Sequence, residues 1–260
     1  MIQLKEYLER LDLPEAPTRS AASLSKLHQR HLLRVPFENL DIHRGVEIRL
    51  DQERILDKIV TRRRGGFCYE LNLAFAWLLR ELGFEVRLLS ATVEREDGAP
   101  GLEAGHLALE VKAEGDWLCD VGFGDSFMIP LDLASRQETR QLGGRYRLAE
   151  ADGKLVLERF VTEFMSFRPL YRFDREAREV EHFAAACRHH QESPDSPFTA
   201  GLICSIAIPD GRLSLTADRL ILSRAGAKKE TPLADRAAFD QNLKRHFGIQ
   251  IDEPALRLPV

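Results

Sequence analysis

Apolar residues recur three and four positions apart through most of the first 84 residues, and that spacing predicts helices. Leu4, Tyr7, Leu8 and Leu11 form one stripe; Leu24, Leu27, His31 and Leu32 form a second within residues 23–33. Leu56, Ile59 and Val60 mark a third. The fourth is the clearest: Leu71, Phe75, Leu78, Leu79 and Leu82 share a face over residues 68–82, and Gly83 supplies a stop. Near Phe84 the period changes to two. His106, Ala108, Glu110 and Lys112 alternate with Leu107, Leu109 and Val111, and residues 117–121 return across a Glu114-Gly115-Asp116 turn. Residues 146–148, 155–160 and 164–171 add strands, two of them joined by Asp152-Gly153. This middle stretch predicts an antiparallel sheet or barrel. Residues 176–191 read as helix again, followed by strands at 202–208, 213–216 and 219–223 and a helix over 233–247 that stops at Gly248. Strands and helices are segregated along the chain, so the expected class is α+β and not a doubly wound fold. Soft boundaries are expected at 96–101 and 192–197.

Composition narrows the function. The chain has 260 residues, 44% hydrophobic and 30% charged, enough apolar material for one large core or two to three smaller ones. Lys plus Arg is 37 against 41 Asp plus Glu, a net charge of −4, which argues against a phosphate-driven nucleic-acid binder. No apolar run approaches the roughly 20 residues that span a bilayer, and residues 1–13 carry no secretory h-region. Four cysteines are too sparse for a disulfide-built domain. The expectation is a cytoplasmic protein with reduced thiols and neither a membrane nor a nucleic-acid partner. No G-x-G-x-x-G, P-loop, C-x-x-C, H-E-x-x-H or G-x-S-x-G is present. His28 and His31, and His182, His189 and His190, lie close in sequence; they read as ordinary, partly exposed histidines, and no metal is expected.

The chemistry concentrates in Arg62-Arg63-Arg64-Gly65-Gly66-Phe67-Cys68. Cys68 opens the best-patterned helix, where unpaired N–H groups and the positive end of the helix dipole favour a thiolate and offer donors to an oxyanion. The competing reading is a small buried cysteine at a helix start. A nucleophile needs a base and an orienting group. His106 starts one strand of the predicted hairpin and Asp120 ends the next, so antiparallel pairing brings them side by side. Asp125 competes with Asp120 for the orienting role, and Asp116 reads as a turn residue. Cys119, next to Asp120 in a strand, should face the other way; Cys187 and Cys204 read as core thiols. The three arginines read either as an attraction for an anionic ligand or as a solvated face.

Four blocks, in order, resemble the arylamine N-acetyltransferase family, including its bacterial members: Val35-Pro36-Phe37-Glu38-Asn39-Leu40-Asp41-Ile42-His43, Arg64-Gly65-Gly66-Phe67-Cys68, Gly105-His106, and Asp120-Val121-Gly122-Phe123-Gly124. A looser block spans residues 193–211. The resemblance implies a helical bundle over 1–84 carrying the nucleophile, a β-barrel over 85–191 carrying His and Asp, and an α/β lid over 192–260, with a cysteine-protease-like Cys-His-Asp core. It implies Cys68 as nucleophile, His106 as base and Asp120 as orienting acid. It sets Phe123 and Gly124 at the mouth of the acceptor pocket, with Phe37 in the same pocket, and makes Arg10 and Glu38 a bracing pair. The implied reaction is acetyl transfer from acetyl-CoA, as acyl donor, to an aromatic amine or hydrazine, with ping-pong kinetics. The rival activities are a cysteine hydrolase or transglutaminase-like enzyme, and an amide-forming transferase on a biosynthetic intermediate.

Overall fold

The computed structural model describes residues 3–95, 99–224, 226–251 and 256, so the boundary expected at 96–101 lies partly outside the described residues. Helix α1 (Leu4–Arg10) and helix α2 (Ala21–Arg34) sit on the first two stripes, and Ser20 caps α2 by accepting from Ser23 N–H. The all-helical reading of the first 84 residues then needs correction. Phe37–Glu38 is a strand, β1, followed by a five-residue helix α3 (Leu40–Arg44), too short to display a period. Helix α4 (Gln52–Leu56) runs into one π turn over Asp57–Thr61, where Arg62 N–H reaches back five residues to Asp57 O at 2.9 Å. Helix α5 (Cys68–Glu81) begins at the cysteine.

Strands β2 (Glu85–Val93), β3 (His106–Lys112), β4 (Asp116–Cys119), β5 (Leu131–Asp132), β6 (Thr139–Gln141), β7 (Gly144–Ala151), β8 (Lys154–Val161) and β9 (Ser166–Arg178) form one antiparallel sheet in the order β5-β4-β3-β2-β9-β8-β7-β6. Leu118 of β4 and Leu148 of β7, far apart in that order, share one core with Ala108, Leu157 and Phe173, so the sheet rolls around its own interior. Residues 176–178, expected in a helix, belong to β9, because Arg178 pairs with Leu88 of β2.

Helix α6 (Ala184–Glu192), helix α7 (Pro197–Ala200), strands β10 (Ile203–Ile208), β11 (Gly211–Thr216), β12 (Arg219–Arg224) and β13 (Ala227–Pro232), and helix α8 (Arg236–Phe247) complete the chain. The second sheet runs β1-β10-β11-β12-β13, which pins Phe37 and Glu38 opposite Ser205 and Cys204. Strand β13 was not read from the sequence because every residue of it is exposed and no apolar alternation marks it. A third core, with Leu40, Cys204, Leu215, Phe239 and Leu243, lies between this sheet and α8.

Strand β3 is the wall between two of these cores. Leu107, Leu109 and Val111 pack with Phe75 and Leu78 of the helical layer, while Ala108 faces the barrel interior. Both faces are therefore buried, and the polar members of the alternation, His106 and Glu110, are not in water as period-two amphipathicity suggests.

Candidate active site

The network that seats Cys68 is built before the cysteine is reached. Gly65 passes so close to the Pro36 carbonyl that a Cβ on it would stand 2.0 Å from that oxygen. Gly66 O accepts from Glu38 N–H at 2.9 Å, and together these contacts lock the Arg64–Phe67 turn against β1. Arg64, expected in a surface basic run, is buried instead and pairs with Glu38 (2.7 Å) and Asp41 (3.1 Å). Lys58, on the π turn, reaches Asp41 and Glu70, each at 2.8 Å. Burial pulls the Lys58 ammonium down, but Glu38, Glu70 and Asp41 outweigh it and hold its pKa above the ordinary range. Glu70 in turn accepts from Phe67 N–H at 3.2 Å, capping the first turn of α5. Arg10 and Glu38 do not form the expected pair. Arg10 donates to Ile59 O (3.2 Å) and Arg63 O (3.3 Å), so it braces the same turn from the other side through backbone carbonyls.

His106 and Asp120 meet as expected. The register Leu109↔Cys119, Glu110↔Leu118, continued toward the strand ends, makes them diagonal neighbours on the barrel-side face. His106 Nε2 and Asp120 Oδ2 are 2.7 Å apart, and both side chains are buried. The carboxylate only accepts, so Nε2 carries the proton and Nδ1 is left as the basic nitrogen. Burial works against the Asp120 charge, but His106, Asn72 and Gly122 N–H outweigh it and hold the carboxyl below its ordinary range. Cys119, on the opposite face, packs into the helical core, and the four thiols are all free and buried.

Asn72 was not singled out from the sequence, yet it ties the three parts together. It lies one turn after Cys68 on α5. Its Nδ2 donates to Asp120 Oδ1 (2.9 Å) and Leu107 O (2.6 Å), and its Oδ1 accepts from Val121 N–H (3.0 Å). Gly122 then runs against the helix start, where a Cβ would come within 2.8 Å of Cys68 Cα. His28 was also missed. It is fully buried, accepts the Asp120 backbone N–H at Nε2 (3.1 Å), bonds Met128 O through Nδ1 (3.0 Å) and stacks on Phe127. His31, on Tyr7 OH (3.0 Å), and His190, on Gly105 O (3.0 Å), are buried as well, so the expectation of partly exposed histidines fails for all three.

The Cys68 thiol departs from the simple helix-terminus argument. Burial pushes its pKa well up, and Cys187 and Asp120 add to that; the N–H groups of Tyr69 and Leu107 pull it down without offsetting burial. A thiolate here therefore needs a proton acceptor beside it. Around this centre the rings gather: Phe123 stands edge-on to His106 at 5.3 Å, Tyr171 lies 5.1 Å from His106, and Phe37 lies 6.0 Å from Phe198. Gly124 (φ +91°) faces the Phe37 ring. Asp125, the rival acid, is engaged elsewhere, by Arg159 and Arg212. A cavity of about 650 Å³ opens beside it between the barrel and the second sheet, with Ser126, Arg159, Arg212, Arg224 and Lys228 in its wall.

A family model described as N-acetyltransferase matches residues 20–256. The chain is 31% identical to the arylamine N-acetyltransferase, pineal gland isozyme NAT-3, of Gallus gallus, over 97% of this chain and 96% of that protein. Among solved structures, the arylamine N-acetyltransferase of M. tuberculosis superposes with a TM-score of 0.90 at 32% identity, covering 98% of both chains. The Mycobacterium marinum arylamine N-acetyltransferase in complex with CoA gives 0.88 at 31%, covering 95% of this chain and 93% of that one.

Proposed function

The chain belongs to the arylamine N-acetyltransferase family and is an acyltransferase, and we propose that it moves an acetyl group from acetyl-CoA to the nitrogen of an arylamine or arylhydrazine through an acetyl-Cys68 intermediate. The observation that carries this reading is the buried His106–Asp120 bond of 2.7 Å, tied by Asn72 to the helix that Cys68 begins. His106 Nδ1 takes the Cys68 proton, and the buried Asp120 charge stabilises the imidazolium that results. The sulfur attacks the thioester carbonyl, and the Cys68 N–H, which has no intrahelical partner at the helix start, holds the oxyanion. Coenzyme A leaves with the proton from His106. The amine nitrogen then attacks the acetyl-enzyme, His106 accepts its proton, and that proton returns to the sulfur as the C–S bond breaks. Phe123, Phe37 and Phe198 give the acceptor side aromatic walls, which suits a flat aryl group.

Acetyl-CoA is the donor in this reading, and the 650 Å³ cavity beside Asp125 has the size of a small-molecule site and cations for its phosphates. Within the arginine run of 62–64, Arg64 is buried among carboxylates and Arg62 pairs with Asp57, so these two do not serve that purpose. Four buried free thiols suit the reducing cytoplasm. The test is incubation with acetyl-CoA and no acceptor, followed by intact mass and mapping. One acetyl group on Cys68, discharged by an aniline, is the expected result. An unmodified Cys68 in a protein that cleaves peptide amides would instead mean a cysteine hydrolase.

A further inference from the structure

Asp125 lies five residues beyond Asp120, in the irregular segment that carries Phe123, and the reaction above makes no use of it. Its carboxylate joins two structural units. Oδ2 accepts from Arg159 Nη1 of β8 at 2.9 Å, and Oδ1 accepts from Arg212 Nε of β11 at 3.2 Å. Each guanidinium has a second, neutral anchor: Arg159 Nη2 donates to Gly143 O (2.9 Å), and Arg212 Nη1 donates to Ser205 Oγ (2.9 Å). The Arg212 and Arg159 side chains are 14% and 30% exposed, whereas that of Asp125 is 57% exposed, and all three line the cavity between barrel and second sheet. The arginines are therefore the fixed, sunken part of the arrangement, and the carboxylate is its accessible part. Two guanidiniums converging on one accessible anion is the geometry that recognises a phosphate, which brings more oxygens and more charge than a carboxylate.

We propose that Asp125 is an internal competitor for a phosphate group of the acyl donor, occupying Arg159 and Arg212 until that phosphate displaces it. The proposal rests on the donor reading above. It assigns a sign that a merely structural salt bridge would not give. Taking the charge off Asp125 leaves two anchored cations with no resident anion, so the donor binds better; taking away either arginine makes it bind worse.

The test compares Asp125→Asn, Asp125→Glu, Arg159→Gln and Arg212→Gln with the unaltered protein, using calorimetric titration of coenzyme A and KM for two donors, acetyl-CoA and S-acetyl-pantetheine, which has no phosphate. With Asp125→Asn, coenzyme A binds about fivefold more tightly, the order of one half-exposed ion pair, and the ratio of the two KM values shifts by the same factor in favour of acetyl-CoA. Asp125→Glu keeps the original ratio, and both arginine variants shift it the other way. Pyrophosphate titrated alone binds more tightly to Asp125→Asn than to the unaltered protein. Weaker or unchanged coenzyme A binding in a folded Asp125→Asn protein overturns the proposal, as does an equal gain for both donors. If neither thioester acetylates Cys68 in the unaltered protein, the donor reading fails first and this one with it.

Discussion

His28 is the residue whose chemistry changes most between sequence and structure. In the sequence it is half of an i, i+3 histidine pair; in the fold it is a neutral strut holding the backbone of Asp120. Burial lowers its pKa to about 4, and the Met128 carbonyl and the Asp120 carboxylate recover only part of that. In the unfolded chain the same imidazole titrates near 6.5. Its folded pKa is the lower one, so its contribution to stability is complete above about pH 6.5 and is lost as pH falls toward 4. The shift corresponds to roughly 3 kcal/mol over that window. His31 and His190 are lowered in the same direction, so they steepen the same limb. Urea unfolding at steps from pH 7 to pH 4 should show stability falling throughout. In His28→Gln the limb should be shallower by about 1.4 kcal/mol per pH unit, one proton's worth. An unchanged slope would mean that His28 is not held neutral.

At the scale of elements, the segment 57–70 explains why the nucleophile sits where it does. The π turn projects Lys58 inward, and Lys58 with Arg64 and Arg44 balances Glu38, Asp41 and Glu70, the last of which caps α5. Lys58→Met leaves buried carboxylates short of a partner and should cost about 3–5 kcal/mol in urea unfolding. Adding Glu70→Gln should recover part of the loss, because Gln still accepts from Phe67 N–H while carrying no charge. A loss below about 1 kcal/mol for Lys58→Met would show that the network is not a unit. Helix start, hairpin and alternation are local signals, and they made Cys68 and His106 legible as candidates with Asp120 and Asp125 as rival acids; the family resemblance chose Asp120. The sequence did not make Lys58, Asn72 or His28 legible, because no turn or hairpin in the local pattern points from each to its partner: Lys58 to Glu70, Asn72 to Asp120, His28 to Asp120. The Val35–Leu40 block is intermediate. Its residues are recognisable together, but their separate tasks appear only in the fold, where Pro36 abuts Gly65, Glu38 joins the ion network and Asn39 holds Phe198 O and Gly201 O (2.9 and 2.7 Å).

For the whole molecule, the donor side is assembled from segments far apart in the chain. The α+β class was readable from the segregation of periods. The second sheet was only partly readable, because its first strand comes from residues 37–38 and its last strand has no apolar face. The cavity depends on that sheet: Arg159 comes from the barrel, while Arg212, Arg224 and Lys228 come from β11, β12 and β13. A ligand held by both walls binds the folded protein and has nothing comparable to bind in the unfolded chain. Linkage then fixes the size of the effect: free coenzyme A at a hundred times its Kd adds about 2.7 kcal/mol. For a chain of this length that raises the melting temperature by about 5–10 °C. The measurement belongs on Cys68→Ser, so that no acyl chemistry intervenes, and pantetheine at the same concentration should give a smaller rise because it lacks the phosphates proposed to meet the arginines. Equal rises for the two would place the stabilising contacts at the thiol end, near Phe123, and remove the cavity between the sheets from the donor's path.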